Sequence, residues 1–205
     1  MQHIIQEELK RFQTFKQQVV FEQKEIVEEN NQMFCDGFPI FDTDGKLLPQ
    51  TETWLNVGYN IKHAQSKCLS NLFPYHFEFR GFLFHSLEAV FQSLKFKNPT
   101  EQRFVFHYDG LNAYYIQTAS MYDWKKTGIL YWQGEPIIRQ SQAYEDFIDE
   151  VYISALQNPL YRHVLYQVQK YILHSIGKDN PNETVFTRFE FEKQLNLLNR
   201  FLRSE

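Results

Sequence analysis

A change of hydrophobic period within residues 77–96 constrains the fold more than any other feature of the sequence. Four phenylalanines alternate with other side chains on either side of Arg80-Gly81: Phe77, Phe79, Phe82 and Phe84. This period of two predicts a β-hairpin with one face in the core. From residue 87 to residue 96 the apolar positions recur with helical spacing instead, and Ser86 is a suitable helix N-cap with Ala89 at position N3. The stretch therefore predicts a hairpin that leads directly into an amphipathic helix.

The predicted helix carries one polar stripe. Glu88, Gln92 and Lys95 lie at i, i+4 and i+7, so they share one side of the helix. The helical rise places the Cα atoms of Glu88 and Lys95 roughly 10 Å apart, which lets the two side chains converge on a ligand between them. Taken from the residues alone, the simpler interpretation is the solvated face of an amphipathic helix.

Length and composition bound the class of protein. The chain has 205 residues, of which 43% are apolar and 17% aromatic, so it suits one globular domain with or without an extension. A net charge of -4 argues against a general nucleic-acid coat protein but permits a local basic pocket. Cys35 and Cys68 are interpreted as free thiols. The sequence contains neither an apolar run of membrane-spanning length nor a signal-peptide pattern, so we expect a cytoplasmic protein without membrane contact.

Residues 1–64 predict an N-terminal extension made of a helix and a short hairpin. Residues 4–30 lack glycine and proline and carry an apolar stripe, which predicts one helix that packs on the domain. Oligomerisation through this helix is the alternative, although its heptad pattern is ragged. Asp44-Gly45 indicates a hairpin turn. A calcium loop is excluded there, because Ile40 occupies the position that needs an acidic residue.

The remaining sequence is mostly helical in pattern. Helices are predicted over residues 100–115 with a break near Asp109-Gly110, over residues 144–156 and 160–172, and from Thr187 onward. Thr187 and Glu190 form a capping box at the start of the last helix. The expected fold class is α+β, a predominantly helical single domain over residues 65–205 with a small β-hairpin or sheet.

The segment from Leu69 to Phe96 resembles the signature of the NADAR family, also called YbiA-like. The matching positions are Leu69, Ser70 and Asn71, the hairpin glycine Gly81, and the helix residues Glu88, Gln92, Lys95 and Phe96. The resemblance covers roughly residues 65–200. Within residues 119–128, Lys126 and Gly128 match a later family segment, but Ile129 stands where the family has an arginine, and Arg139 is a candidate replacement. Asp179 aligns with a family aspartate, whereas His174 stands at the family's acidic position and the tryptophan that follows the aspartate is absent.

This resemblance implies an N-glycosidase that hydrolyses the bond between ribose and a base or amine nitrogen. The implied substrates are an ADP-ribosyl-guanine conjugate, free or on nucleic acid, or a ribosylamino-pyrimidine phosphate of riboflavin synthesis. No metal or cofactor is implied. Glu88, Lys95 and Asp179 are the expected catalytic residues, with Lys95 acting by imine formation or by electrostatics. The expected substrate-binding residues are Ser70, Asn71, Gln92, Trp124, Lys126, Arg139 and His174. A non-catalytic module that binds ADP-ribose or a nucleotide is the alternative function.

Overall fold

The computed structural model of the chain describes residues 2–29, 32–116 and 123–204. It is a mixed α+β structure with small, separate sheets, as expected. The helices are α1 (Gln2–Gln18), α2 (Ala64–Cys68), α3 (Leu87–Ser93), α4 (Pro99–Phe106), α5 (Gly110–Tyr115), α6 (Trp124–Thr127), α7 (Gln142–Ala155), α8 (Pro159–Tyr166) and α9 (Arg188–Arg203). The strands are β1 (Ile26–Glu29), β2 (Gln32–Cys35), β3 (Phe38–Pro39), β4 (Trp54–Asn56), β5 (Phe77–Phe79), β6 (Phe82–Phe84), β7 (Ile129–Trp132), β8 (Glu135–Ile138) and β9 (Tyr171–Leu173).

The predicted aromatic hairpin is confirmed as the β5–β6 pair. Phe77 lies opposite Phe84, and Phe79 lies opposite Phe82, in antiparallel register. Arg80 and Gly81 both have positive φ angles, of 49° and 81°, as a two-residue hairpin turn requires. The buried face of the hairpin packs on the rings of Phe106, Trp132 and Phe147, so it delivers the chain to α3 from the middle of the core.

Helix α3 is surrounded by the rest of the fold. Every residue in it except Glu88 is buried. It packs against α4, α5 and α7, while the three longest helices, α1, α7 and α9, complete the core. Phe12 of α1 is fully buried and meets Phe201 of α9 at 5.4 Å between ring centroids. The apolar side of α1 is therefore used within the chain.

The structure corrects the predicted extent of three helices. The helix predicted over residues 87–96 ends at Ser93. The N-terminal helix ends at Gln18, and residues 26–29 form strand β1 rather than a continuation of the helix. The helix predicted over residues 160–172 ends at Tyr166, and residues 171–173 form β9, which pairs with β4 in parallel. On the other side of β9, the Asn196 side chain bonds both the N–H and the carbonyl of Ile172. Pairing with residues distant in sequence thus overrides the helical pattern of this segment.

The extension contains the predicted turn and a second one that the pattern did not indicate. Asp42 accepts hydrogen bonds from the backbone N–H groups of Asp44 and Lys46, and Gly45 has a φ of 71°. A further hairpin joins β2 and β3 through Asp36-Gly37, both with positive φ. Part of the segment 119–128 singled out by the sequence, residues 119–122, lies outside the described residues. None of the helices in the described ranges has the length and apolarity to cross a bilayer.

Candidate functional site

The polar stripe of α3 forms a continuous hydrogen-bonded row. Ser86 caps the helix as predicted, with its Oγ accepting from the N–H of Ala89 at 3.1 Å. The Gln92 amide donates to Glu88 Oε1 at 2.6 Å, and Lys95 Nζ donates to Gln92 Oε1 at 2.6 Å. Gln92 therefore links the carboxylate to the ammonium group with its amide held in one orientation. We call Glu88, Gln92 and Lys95 the acid–base row.

Lys95 reaches the row from a tightened turn beyond the helix. Regular helix ends at Ser93, and the N–H of Lys95 bonds the carbonyl of Gln92 instead of continuing the i→i−4 pattern. The buried side chain of Gln102 holds this turn, because its amide nitrogen donates to the carbonyl groups of Phe96 and Tyr131. The ammonium group is thus positioned by long-range contacts as well as by helical spacing.

Burial shifts the pKa values of both ionisable groups of the row toward neutrality. Glu88 keeps some accessible surface but is deeply surrounded by protein, and the loss of solvation raises its pKa against the opposing effects of Gln92 and Lys95. Desolvation likewise lowers the pKa of Lys95 to about 8, although the charge of Glu88 opposes the change. The row therefore holds a carboxyl group whose pKa is raised and an amine whose pKa of about 8 allows it to change protonation near physiological pH.

Asn71 lies at one end of the row, clamped between two elements. Its carbonyl accepts the N–H of Glu88 at 2.9 Å, and its side-chain Oδ1 accepts the hydroxyl of Tyr152 at 2.8 Å. Tyr152 belongs to α7 and is fully buried, so this bond ties the loop before the hairpin to the far side of the core. Because Oδ1 of Asn71 accepts from the Tyr152 hydroxyl, the amide nitrogen of Asn71 points away from Tyr152.

Aromatic rings and lysines surround the row. Phe91 stacks on Phe186 with ring centroids 5.0 Å apart, and Trp124 lies with its ring centroid 5.7 Å from Lys95 Nζ. Lys125 and Lys178 are exposed and lie close enough for their positive charges to lower the pKa of Lys95 further. Within the described part of the chain, neither of these two lysines has an ion-pair partner. The region outside the row is therefore electropositive.

Six of the residues expected from the sequence come together here: Glu88, Gln92 and Lys95, with Asn71, its neighbour Ser70, and Trp124. Ser70 itself makes local contacts, since its Oγ accepts the N–H of Leu72 and its carbonyl accepts the N–H of Phe73. Trp124 is buried and faces Lys95, which combines core packing with a cation–π contact. Among the described residues, no cluster of histidine, cysteine and carboxylate groups is arranged to hold a metal ion.

The other four expected residues have partners of their own. Lys126 is solvent-exposed and pairs with Asp123, and Arg139 is buried in a two-pronged ion pair with Glu190 at 2.8 Å. Asp179 is bound by Arg188 on the surface. His174 donates from Nδ1 to the Val57 carbonyl at 2.8 Å, and burial lowers the pKa of His174. The contacts of the described residues do not join any of these four to the acid–base row.

Sequence reasoning missed Tyr152, Phe186, Lys125 and Lys178 as parts of the site. Tyr152 was expected only as one position of an apolar helical stripe, and nothing in that pattern separates it from its neighbours. One signal in the sequence could have drawn attention to Lys178, because it directly precedes Asp179, which was an expected catalytic residue. Phe186 lies in the loop between β9 and α9, where no periodicity applies.

Comparison with known proteins identifies the family. The family model described as bacteriophage protein GP30.3 matches residues 63–200, so the chain belongs to the GP30.3 family. It is also similar to the "Uncharacterized 17.1 kDa protein in Gp30-rIII intergenic region" of Enterobacteria phage T4, with 34% identity over 137 residues. The alignment covers 65% of this chain and 89% of the T4 protein. No solved structure matches.

These findings correct the resemblance drawn from the sequence. The model that matches residues 63–200 is that of GP30.3, and the NADAR family is not matched, so assignment of the chain to the NADAR family was wrong. The two blocks on which that assignment depended, residues 69–71 and 88–96, lie within the GP30.3 match. A functional proposal must therefore depend on the geometry of the acid–base row.

Proposed function

We propose that the protein is an N-glycosidase that hydrolyses the bond between a ribosyl group and a base or amine nitrogen. The observation that carries this proposal is the acid–base row, in which one amide bridges a carboxylate of raised pKa and an amine of lowered pKa. Both groups keep accessible surface, so a ligand can reach them.

The chemistry of N-glycoside cleavage needs two such groups. As the bond between the anomeric carbon and nitrogen breaks, positive charge develops on the sugar ring and the leaving nitrogen takes up a proton. Glu88 as carboxylate stabilises that charge and accepts a proton from the attacking water. Lys95 as ammonium donates the proton to the leaving nitrogen. The water oxygen ends on the anomeric carbon, and the products are the free sugar and the free base.

Lys95 has a second possible use. Its neutral amine can attack the anomeric carbon, release the protonated base and form an imine with the opened sugar, which water then hydrolyses. The two uses predict opposite pH dependence. Proton donation by Lys95 is lost as pH rises through about 8, whereas nucleophilic attack increases over the same range. Reduction with borohydride during turnover, followed by mass spectrometry, detects a sugar attached to Lys95 only if the imine forms.

The charge around the row favours a phosphorylated substrate. Lys125 and Lys178 have no ion-pair partner in the described chain, and an anionic group between them would relieve their repulsion with Lys95. This favours a ribosyl phosphate or an ADP-ribosyl conjugate over an uncharged nucleoside. Asn71 and Trp124 contact Glu88 and Lys95 and are suited to bind a sugar hydroxyl and a flat ring.

The test is a panel of ribosylated substrates with chromatographic detection of the released base. The panel contains ribosylamino-pyrimidine phosphate, ADP-ribosyl guanosine and ADP-ribosylated single-stranded DNA, each with wild type and with Glu88→Gln. Release by the wild type that falls at least a hundredfold in the variant supports the proposal. Release at equal rates by the two proteins, or no release from any substrate, refutes it.

The alternative function is a non-catalytic module that binds ADP-ribose or a nucleotide. Its support is that Asp179, the third expected catalytic residue, is occupied by Arg188 rather than placed beside the row. Calorimetry with ADP-ribose separates the two functions. Tight binding without base release would favour the module, and turnover would exclude it.

A further inference from the structure

A cavity separate from the acid–base row is lined by Phe186, whose ring also stacks on Phe91 of α3. It has a volume of about 290 Å³ and lies between α7, α9 and the loop that precedes α9. This is just below the range of about 300–1,000 Å³ that is usual for ligand pockets, so it suits a single small molecule. Glu88 and Lys95 do not line it.

The walls of this cavity are mainly aromatic. Tyr144, Phe186 and Phe189 contribute rings, and Ile148 adds an aliphatic surface. The ring of Phe186 also contacts Phe91 and Tyr152, which flank Glu88 and Asn71. Flat aromatic walls favour a flat ligand that stacks on them or meets their edges.

One buried amide in the cavity wall lacks a hydrogen bond. Gln194 is 5% exposed, and its amide nitrogen has no partner of acceptable geometry among the described residues. The amide lies close enough to Asp149 to favour the ionised form of that carboxylate, but the contact falls short of a hydrogen bond. A buried donor without a partner is costly and is normally satisfied; because this nitrogen has almost no accessible surface, a ligand acceptor reaches it when the Gln194 side chain turns toward the cavity.

The charges of the wall are balanced. Lys16 binds Asp149 at 2.7 Å, and two other lining carboxylates are paired with arginines behind the wall: Asp179 with Arg188, and Glu190 with Arg139. The two charged lining residues that remain, Glu145 and Lys193, have opposite charges. A charged ligand would therefore gain little here, whereas an uncharged one loses little solvation on entry.

We propose that this cavity is a second binding site for a small, uncharged aromatic heterocycle of the nucleobase or nucleoside class. The aromatic walls take the flat ring, and the Gln194 amide donates to a ring nitrogen or carbonyl of the ligand. The site is partly built by the N-terminal extension, because Lys16 closes one side of it and lies outside the family match at residues 63–200.

The experiment is a titration of adenosine, guanosine, cytidine and uridine, followed by ligand-observed NMR and calorimetry. The titration is done with wild type and with Glu88→Gln. The variant leaves each nucleoside intact even if the acid–base row of the wild type cleaves it. We expect saturable binding of at least one nucleoside, with Kd between micromolar and millimolar, and equal affinity in both proteins. The absence of saturable binding by all four nucleosides overturns the proposal.

Two cavity variants locate the bound nucleoside. Ile148→Trp fills the cavity, and Gln194→Leu removes the unpaired amide at nearly constant volume; each should weaken binding at least tenfold. Leu160→Trp, at an exposed position of α8, is the control and should leave the affinity unchanged. Because the side-chain nitrogen of Gln194 has no hydrogen-bond partner among the described residues, Gln194→Leu should fold even if the larger Ile148→Trp does not. Binding that survives Gln194→Leu but is lost in Trp124→Ala would place the nucleoside at the acid–base row and refute this site.

Discussion

Replacing Glu88 by glutamine removes the only negative charge of the acid–base row while keeping its shape. Glutamine retains an oxygen that accepts from the Gln92 amide, so the hydrogen-bonded row need not break. The pKa of the carboxyl group is raised in the folded protein because burial disfavours its charged form. A neutral side chain is therefore preferred there, and we expect the variant to be at least as stable as the wild type at pH 7.

Two further effects of Glu88→Gln follow from the geometry. Loss of an acid–base group reduces turnover by about 10²–10⁴-fold, which corresponds to about 3–5 kcal/mol of transition-state stabilisation. The charge of Glu88 also raises the pKa of Lys95, so its removal should lower that pKa below the wild-type value of about 8. Lys95 would then be less than half protonated at pH 8.

The assay combines base release with NMR titration of the Lys95 side chain. Glu78→Gln is the matched control, since Glu78 is exposed on β5 and its replacement should change neither quantity. Turnover within tenfold of wild type would remove Glu88 from the mechanism. An unchanged Lys95 pKa would show that the two groups are not coupled, contrary to the row described above.

Three further predictions concern stability, measured by urea unfolding. Lys16→Met leaves the buried Asp149 carboxylate without its lysine partner and should cost about 3 kcal/mol at pH 8; burial raises the pKa of this carboxyl group, so the loss should become smaller as pH falls and the group takes up a proton. Gly110→Ala should cost about 3 kcal/mol or more, because the added methyl group would overlap the backbone of Leu72. Burial raises the pKa of Glu192 to about 7 from its usual 4.5, so the folded state binds more protons than the unfolded state between these pH values. Stability should therefore fall by up to about 3 kcal/mol as pH rises from 4.5 to 7. Glu192→Gln should flatten this pH dependence.

Each of these has a control or a contrary outcome. Lys10→Met, at an exposed position of α1, should change stability by less than about 0.5 kcal/mol. Gly45→Ala meets open space and carries only the cost of its positive φ, about 1 kcal/mol. The contrary result is a wild-type stability that increases between pH 4.5 and pH 7, together with the same pH dependence in Glu192→Gln. That result would contradict the assignment of the raised pKa to Glu192.

Features set by neighbours in sequence could be predicted. The turn at Arg80-Gly81, the Ser86 cap and the capping box of Thr187 and Glu190 are all present, because each depends on residues within about four positions. The relation of Glu88 to Lys95 was predicted from helical spacing in the same way, although the turn that carries Lys95 is also held by the distant Gln102. These local rules were sufficient to find the centre of the candidate site.

Partners distant in sequence could not be predicted. Arg139 was expected at a phosphate, yet it is paired with Glu190, which lies 51 positions away and also closes the capping box of α9. Segment 171–173 has a helical pattern but pairs with β4, more than a hundred residues earlier. In both cases the competing contact is favoured by the tertiary fold, and no periodicity of the sequence records it.

The bond between Tyr152 and Asn71 gives the most direct test of how the fold controls the site. Tyr152→Phe removes only the hydroxyl that holds the Asn71 amide, so we expect about a tenfold loss in kcat/KM, or in ADP-ribose affinity if the protein is a binding module. If Tyr152 acts only through Asn71, adding Tyr152→Phe to Asn71→Ala should change kcat/KM, or the ADP-ribose affinity, by less than about twofold. Tyr144→Phe loses an equally buried hydrogen bond from the same helix, to Val185, and is the control for stability. Independent losses that multiply in the double variant would show that Tyr152 contributes to packing alone and does not orient Asn71.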